Sequence, residues 1–244
     1  MRTRFSRGLS AALAVSALSL TAACGGGDSD GAKKDGADKP AASASASATS
    51  AAPQPAGPLT DAQMKAAALD AKDLPAGWKA GKVEKGPAFG KADKPECVAV
   101  TDLFASAVKG ATTGADLHFT QGKNTTLDQQ VLTFPGAGAA DFAKAVGAAA
   151  DGCTSFNATA EGMKLKGTVK KLTAPAGAEE AHAIRVTVAM PDMGYQTQVD
   201  LLVARQGSGV TRIAFDPAND ATGHKDFDAL AKATVEKFAK AAQG

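Results

Sequence analysis

Period-two alternation of apolar and polar residues, concentrated in the second half of the chain, restricts the possible folds more than any other feature. Residues 163–170 and 181–190 alternate in this way, and residues 195–205 and 209–216 form a further pair of strand-like segments around a glycine-rich turn. Such alternation gives a strand one apolar and one hydrated side. The pattern therefore predicts an antiparallel sheet rather than a parallel sheet buried on both faces.

Four segments outside these strands carry helix signals. Thr60 and Gln63 have the spacing of a capping box, while Pro95 and Gly110 suit the first and the terminating positions of a helix. Apolar residues at helical spacing support the other two segments, most clearly the last. The predicted helices cover residues 61–70, 95–109, 138–151 and 224–242.

A hairpin between the second and third predicted helices completes the set of strands. Its strands at residues 115–122 and 126–134 meet around Gly122, Lys123 and Asn124, which favour a turn. The predicted class is therefore α+β. We expect one antiparallel sheet of about five to seven strands, with helices packed mainly on one face.

The first 23 residues have the pattern of an export signal. Three arginines precede an apolar stretch at residues 9–20, which is too short to span a bilayer. Small residues then lead to Cys24, and this arrangement resembles the lipobox of bacterial lipoproteins, although Thr21 stands where leucine is usual. The resemblance implies a diacylglyceryl group on Cys24 and cleavage before it. An ordinary secretory signal with an incidental cysteine is the alternative.

The segment that follows Cys24 is predicted to be a tether. It consists of Gly, Ala, Ser, Pro and mixed charges without a hydrophobic period, so it buries too little apolar surface to offset the entropy of ordering it. A flexible chain of this length spans roughly 30 Å. The sequence thus predicts a signal peptide at 1–23, a lipidated cysteine and tether at 24–58, and a folded domain at 59–244.

The charge balance argues against a nucleic-acid partner. The chain has 27 basic and 25 acidic residues, and loss of three arginines with the signal leaves 24 basic residues against 25 acidic ones. A protein without a basic excess lacks the electrostatic term that drives nonspecific nucleic-acid binding. The predicted location is the outer face of the cytoplasmic membrane, reached through the lipid anchor, and the predicted state is a monomer.

Two cysteines remain for the folded domain once Cys24 carries lipid. We expect Cys97 and Cys153 to pair, because an exported domain lies in an oxidising compartment. The bond would join the second helix to the end of the third, at a gain of about 4 kcal/mol in the chain-entropy model. Two buried free thiols are the alternative. The histidines and cysteines lack close ligand spacing, so no metal and no cofactor are predicted.

Several short motifs follow one another in the order of a known family. The segment Asp-Leu-Pro-Ala-Gly-Trp at 73–78 follows a short helix, Cys97 opens the next helix, and Cys153 ends an Ala-rich helix. A strand at 202–205 then precedes a tight glycine turn. Over about residues 60–242 this order resembles the PknH-like extracellular sensor domain of actinobacteria.

The resemblance implies a location and a fold more than a chemistry. Its members occur as the outer domains of membrane-bound Ser/Thr kinases and as free-standing lipoproteins, with an antiparallel sheet, flanking helices and a cleft. The kinase's sensor domain carries two disulfides, whereas this chain can form one. No catalytic activity follows from the resemblance, and the chain is predicted not to be an enzyme.

A search for catalytic motifs finds no nucleophile elbow and no phosphate-binding glycine loop. The three histidines, His118, His182 and His224, are each expected to be structural or surface residues. Weak candidates for ligand binding are polar residues expected on the uncovered face of the sheet, namely His118, Lys164, Lys166 and Arg185.

Two functions remain after this search. The first is a non-catalytic ligand-binding or sensing module, whose unidentified partner is a small ligand, a cell-wall component or an envelope protein. The alternative is a lipid or glycolipid carrier of the cell envelope, which requires a large apolar cavity. Aromatic residues make up only 5% of the chain and the strands have polar sides, so the first function is favoured.

Overall fold

The structure, a computed structural model, describes residues 57–83, 89–218 and 225–244. The signal peptide at 1–23, Cys24 and the tether up to residue 56 lie outside the described residues, as does His224. The predictions made for them remain predictions. None of the described helices combines the length and the apolar content needed to cross a bilayer.

The described part of the chain forms one antiparallel sheet of eight strands. Along the sheet their order is β1-β2-β3-β8-β7-β6-β5-β4, and every neighbouring pair is antiparallel. The strands are β1 (Trp78–Ala80), β2 (Thr112–Gln121), β3 (Thr125–Thr133), β4 (Ser155–Ala160), β5 (Met163–Leu172), β6 (Glu180–Met190), β7 (Tyr195–Gln206) and β8 (Gly209–Asp216).

The predicted class is confirmed, but the expected number of five to seven strands is too low. The two strands missed, β1 and β4, are the edges of the sheet. β1 has only three residues and directly follows the turn at Gly77. β4 is the polar sequence Ser-Phe-Asn-Ala-Thr-Ala, in which Phe156 is the one large apolar side chain. Pairing with a neighbour, rather than a local pattern, makes both segments strands.

The helices are α1 (Asp61–Ala67), α2 (Val98–Asp102), α3 (Gly138–Gly152) and α4 (Asp226–Gln243). The second is much shorter than the predicted 95–109, because Pro95–Cys97 is a 3₁₀ turn and the helix ends at Asp102. Its end coincides with a contact from the sheet, since Arg212 donates to the carbonyl oxygens of Asp102 and Leu103. A cation bonded to terminal carbonyls is favourable at the end of a helix.

The expectation that helices cover mainly one face is wrong. α2 and α3 pack on one face of the sheet, which we call the α2/α3 face, and α1 and α4 pack on the other, the α1/α4 face. The central strand β7 shows why, since Leu201 is buried beneath α3 and its neighbour Leu202 is buried beneath α4. A strand covered on both sides loses the alternation on which the prediction depended.

The α1/α4 face has a core with several large aromatic side chains. Phe215 of β8 stacks with Phe227 of α4, and Phe238 is fully buried nearby. The predicted capping box of Thr60 and Gln63 begins α1. Burial of rings of this size contributes to the stability of this face together with its aliphatic residues.

The α2/α3 face combines an alanine-rich helix with a covalent bond. α3 buries chiefly alanines and Val146 against the sheet. Cys97 and Cys153 form the predicted disulfide, which joins the 3₁₀ turn before α2 to the residue that follows α3. The small residues of α3 and the short α2 leave room for a groove on this face.

Candidate functional site

A groove of about 380 Å³ opens on the α2/α3 face, between the residues that follow α2 and the strands β2, β3 and β8. Leu103 and Phe104 form an apolar wall. Ser106 lines the groove from the loop after α2. The polar lining residues from the sheet are Asp116, Asp128, Gln129, Gln130 and Arg212. A groove with both kinds of lining can orient a small polar ligand while burying its apolar part.

Arg212 is the buried cation of the groove, with only 8% of its surface exposed. Its Nε and Nη2 donate to Oε1 of Gln130 at 3.0 and 2.7 Å, and its Nη1 donates to the carbonyl oxygen of Leu103 at 3.0 Å. Nη2 also donates to the carbonyl of Ala105. Burial lowers the pKa of Arg212 to about 10. Because neutral acceptors occupy its donors, Arg212 holds the groove together and adds positive potential rather than grasping a ligand.

Asp128 and His118 form a pair beside the groove. Nδ1 of His118 lies 2.6 Å from Oδ1 of Asp128, and these residues face each other in the register of β2 and β3. Burial raises the pKa of the Asp128 carboxyl, and the hydrogen bond to His118 offsets this only in part. The His118 ring also fills the space beside Gly81, where a Cβ would lie 2.7 Å from the ring carbon Cδ2. The histidine thus positions the carboxylate.

The groove is rich in hydrogen-bond acceptors. Asp116 lies exposed on the same face as Asp128, two residues away from His118 along β2. Among the described residues, the side-chain hydrogen-bond partner of His118 is Asp128 and not a hydroxyl. The arrangement is suited to accepting hydrogen bonds from a ligand.

The four predicted ligand-binding residues do not form one site. His118 lies on the α2/α3 face, whereas Lys164, Lys166 and Arg185 lie on the opposite face of the sheet, as their register with β4 and β6 shows. Lys164 and Lys166 are exposed. The prediction placed all four together because alternation along one strand cannot tell which face two distant strands share.

Arg185 is a structural residue. Its Nε donates to Oδ1 of Asp200 at 2.6 Å and its Nη2 to Oδ2 at 2.8 Å, and the Asp200 side chain is fully buried. This bidentate pairing raises the pKa of Arg185. The guanidinium compensates a buried charge and is not available as a primary ligand group.

His182 packs between the sheet and α3. Its Nε2 lies 2.9 Å from Oε1 of Glu180, and its ring rests against Gly147 of α3, where a Cβ would come within 2.5 Å. The hydrogen bond to His182 is the main cause that lowers the pKa of Glu180. Glu179 and Glu180 both pair with Arg205, so these carboxylates tie β6 to β7.

Sequence reasoning missed Asp116, Asp128, Gln130 and Arg212. One signal was available, because a hairpin centred on Lys123 places His118 opposite Asp128 by simple counting. Arg212 carried a weaker signal as a lone charge inside the apolar strand Gly-Val-Thr-Arg-Ile-Ala-Phe. A charged side chain within an apolar strand implies that buried polar groups form hydrogen bonds to it. Across the described ranges, no group of three or more His, Cys, Asp or Glu residues could hold a metal ion.

Comparison with known proteins gives a fold. No family model matches the chain, and no curated protein matches it. The crystal structure of the extracellular domain of PknH from Mycobacterium tuberculosis superposes with a TM-score of 0.52, covering 75% of this chain and 98% of that chain at 15% identity. The domain is similar in fold to that extracellular domain.

A second solved structure is more distant. An uncharacterised protein of Mycobacterium smegmatis, a Rv0999 ortholog, matches at 10% identity and a TM-score of 0.41, over 74% of this chain and 97% of that one. At these levels of identity the likeness to PknH concerns architecture. The chemistry of the groove therefore has to be argued from the residues of this chain.

Proposed function

We propose that this chain is a non-catalytic binding module of the cell exterior, held at the outer face of the membrane by lipid on Cys24, which takes a small polar ligand in the groove. A sensing role is the natural use of such a module. The fold shared with a domain described as extracellular supports the location, as does the leader sequence before Cys24.

The lining of the groove is the observation that carries this proposal. Asp116 and Asp128 present acceptors on one side, and Leu103 and Phe104 offer an apolar surface on the other. A lipid carrier would need a dry apolar cavity, and two carboxylates in the groove disfavour that use. The ligand favoured by this lining donates hydrogen bonds and has one apolar face.

Ligand-induced thermal shift tests the groove. The chain from residue 24, with Cys24→Ser so that no lipid is attached, would be screened against probes that differ in charge: soluble peptidoglycan fragments, neutral sugars, amino acids and polyamines. We expect probes with amino or hydroxyl donors to raise the melting temperature. Asp116→Asn with Asp128→Asn should abolish that shift, because amides attract donors less strongly than carboxylates.

Glu161→Gln is the matched control for the screen, since Glu161 is an exposed acid in the β4–β5 turn, away from the groove. It should leave every shift unchanged. A probe that binds equally well to the Asp116/Asp128 double variant would show that the groove is not the site.

The anchor is tested separately in the native host. Metabolic labelling with a fatty acid should mark the protein, and Cys24→Ala should remove both the label and the protein from the membrane fraction. Retention of the unlabelled Cys24→Ala protein at the membrane would contradict the proposed anchor.

A further inference from the structure

Arg212 is a buried cation whose hydrogen-bonding capacity is fully used by the protein. A guanidinium has five N–H donors. Nε and one N–H of Nη2 point to the side-chain oxygen of Gln130, and the other three donate to main-chain carbonyl oxygens, those of Asp102, Leu103 and Ala105. Because every acceptor is neutral, an anionic ligand would have to displace one of these bonds before Arg212 could hold it.

The two acids of the groove, in contrast, have acceptor atoms to spare. Oδ1 of Asp128 contacts His118, whereas no described residue donates a hydrogen bond to its Oδ2, and 49% of this side chain is exposed. Asp116 is exposed and accepts no hydrogen bond from the part of the chain that the structure describes. The groove therefore offers a ligand carboxylate oxygens to bind and no arginine donor.

The fixed charges that line the groove leave a negative excess. Asp116 and Asp128 stand against one guanidinium, that of Arg212, so the described lining carries one net negative charge. Burial, together with repulsion from Asp116, raises the pKa of the Asp128 carboxyl, although the hydrogen bond to His118 offsets part of this. A cation in the groove would relieve both effects. A second positive charge on the same ligand would instead meet Arg212.

The apolar wall favours an organic cation over a metal ion. Phe104 packs on Phe89 with ring centroids 4.6 Å apart, and Leu103 continues the wall. An alkyl or aryl group would bury this surface, and the face of an aromatic ring attracts a positive charge. A metal ion would leave the wall in water, and the described residues contain no group of three or more His, Cys, Asp or Glu side chains that could hold one.

We propose that the groove binds a small organic monocation, with its ammonium group at the two carboxylates and its apolar part against Leu103 and Phe104. This inference rests on the proposed function, because it specifies the chemical class of the ligand. A volume of about 380 Å³ lies within the range of small-molecule sites. A lysine side chain of a peptide presents the same ammonium group, and a separate probe distinguishes the two sources.

An NMR titration with three probes of similar size tests the charge preference on the chain from residue 24 with Cys24→Ser. The probes are phenethylammonium, phenethyl alcohol and hydrocinnamate, which are positive, neutral and negative. At about pH 8 a histidine side chain is ordinarily neutral, so the carboxylates decide the charge of the groove. We expect the ammonium to bind roughly 10-fold more tightly than the alcohol, with an affinity that falls as salt rises, and hydrocinnamate not to bind.

Backbone amide shifts of β2, β3 and the residues that follow α2 should locate each bound probe in the groove. Nα-acetyl-lysine methylamide carries the ammonium group on a peptide. It should bind more weakly than phenethylammonium, because its flexible chain covers less of the aromatic wall and loses more freedom on binding. Tighter binding of this peptide probe would assign the groove to a protein side chain and overturn the proposed small ligand.

Asp116→Asn is the decisive substitution, because it removes a charge without breaking a hydrogen bond to any described residue. It should weaken phenethylammonium binding roughly 10-fold and leave phenethyl alcohol within about two-fold. Asp116→Lys reverses the charge, so it should abolish ammonium binding and admit hydrocinnamate. Asp192→Asn is the matched control, since Asp192 is an exposed acid in the turn between β6 and β7, and it should change none of these affinities.

The possible outcomes separate this inference from the proposed function. If phenethyl alcohol binds in the groove as tightly as phenethylammonium, the charge preference is wrong, but the groove remains a binding site. A parent protein that prefers hydrocinnamate would refute the inference, since Arg212 would then hold the ligand. Unchanged binding of phenethylammonium to the Asp116→Asn variant would refute it as well. Absence of binding by all probes at millimolar concentration would contradict both the inference and the proposed function.

Discussion

The two faces of the sheet achieve stability by different means. On the α1/α4 face, Phe215, Phe227 and Phe238 pack in the core without any covalent link, and the buried carboxylate of Asp200 pairs with Arg185. The α2/α3 face has an alanine-rich helix and a five-residue helix, and it relies on the Cys97–Cys153 bond and on the hydrogen bonds of Arg212.

The difference shows how room for a groove is created. On the α2/α3 face an alanine-rich helix and a five-residue helix leave a gap that polar groups line, although Phe134 and Phe156 are buried on the same face. The disulfide and the buried arginine add to the apolar packing of this face. We therefore expect substitutions on the two faces to change the free energy of unfolding and the local hydrogen exchange by different amounts.

Loss of the disulfide should have the largest effect. Cys97→Ser with Cys153→Ser frees a crosslink between residues 56 apart in sequence and should lower the free energy of unfolding by about 4 kcal/mol. Urea denaturation with and without reductant measures this. Hydrogen exchange should quicken in α2 and α3 more than in α4. Equal loss of protection in α4 would show that the two faces unfold as one unit.

Replacing Arg212 should come next. Arg212→Met leaves the carbonyls of Leu103 and Ala105 and the Gln130 amide oxygen without donors, at about 1 kcal/mol each, so we expect a loss of about 3 kcal/mol. Arg212→Lys keeps the charge but not the fork of donors and should be intermediate. If Arg212→Met is as stable as the parent in urea, the α2/α3 face does not depend on this network.

The smallest predicted effect concerns the pKa values of two acids, Asp73 on the α1/α4 side and Asp128 on the α2/α3 face. The hydrogen bond from Lys237 of α4, at 2.6 Å, is the main cause that lowers the pKa of Asp73, whereas burial raises that of Asp128 beside the groove. Ionised Asp73 therefore adds stability that is present above its unfolded pKa near 3.8 and is lost as pH falls through its lowered value. For Asp128 the sign is opposite, since stability falls as pH rises from its unfolded value through the raised one.

Carboxyl carbon NMR measures both titrations directly. Asp73 should titrate below 3.8 and Asp128 above it. Asp73→Asn should cost about 0.5 kcal/mol at neutral pH, the usual scale for a partly exposed pair, and flatten the acid limb of a stability profile. The reverse order of the two titrations would contradict the contrast between the faces.

Local patterns predicted much of the fold and little of the site. The hairpin at Lys123, the strand β5 and the cap at Thr60 depend on neighbours in sequence, and all were found where expected. The second helix was predicted too long, because its end depends on Arg212, more than 100 residues away. The groove was missed for a related reason, since its lining comes from four strands and the loop after α2.

By itself, the sequence determined that this chain contains an antiparallel sheet with helices and which two cysteines of the domain would pair. The alternation of a strand and the residues of a turn act over a few positions. Once Cys24 is assigned to the lipid, Cys97 and Cys153 are the two cysteines left to pair. Only the tertiary structure decided that His118 and the lysines lie on opposite faces and that Asp128 and Arg212 share a groove. Those relations arise when β8 inserts between β3 and β7, because hydrogen bonding across a sheet brings together strands that are distant in sequence.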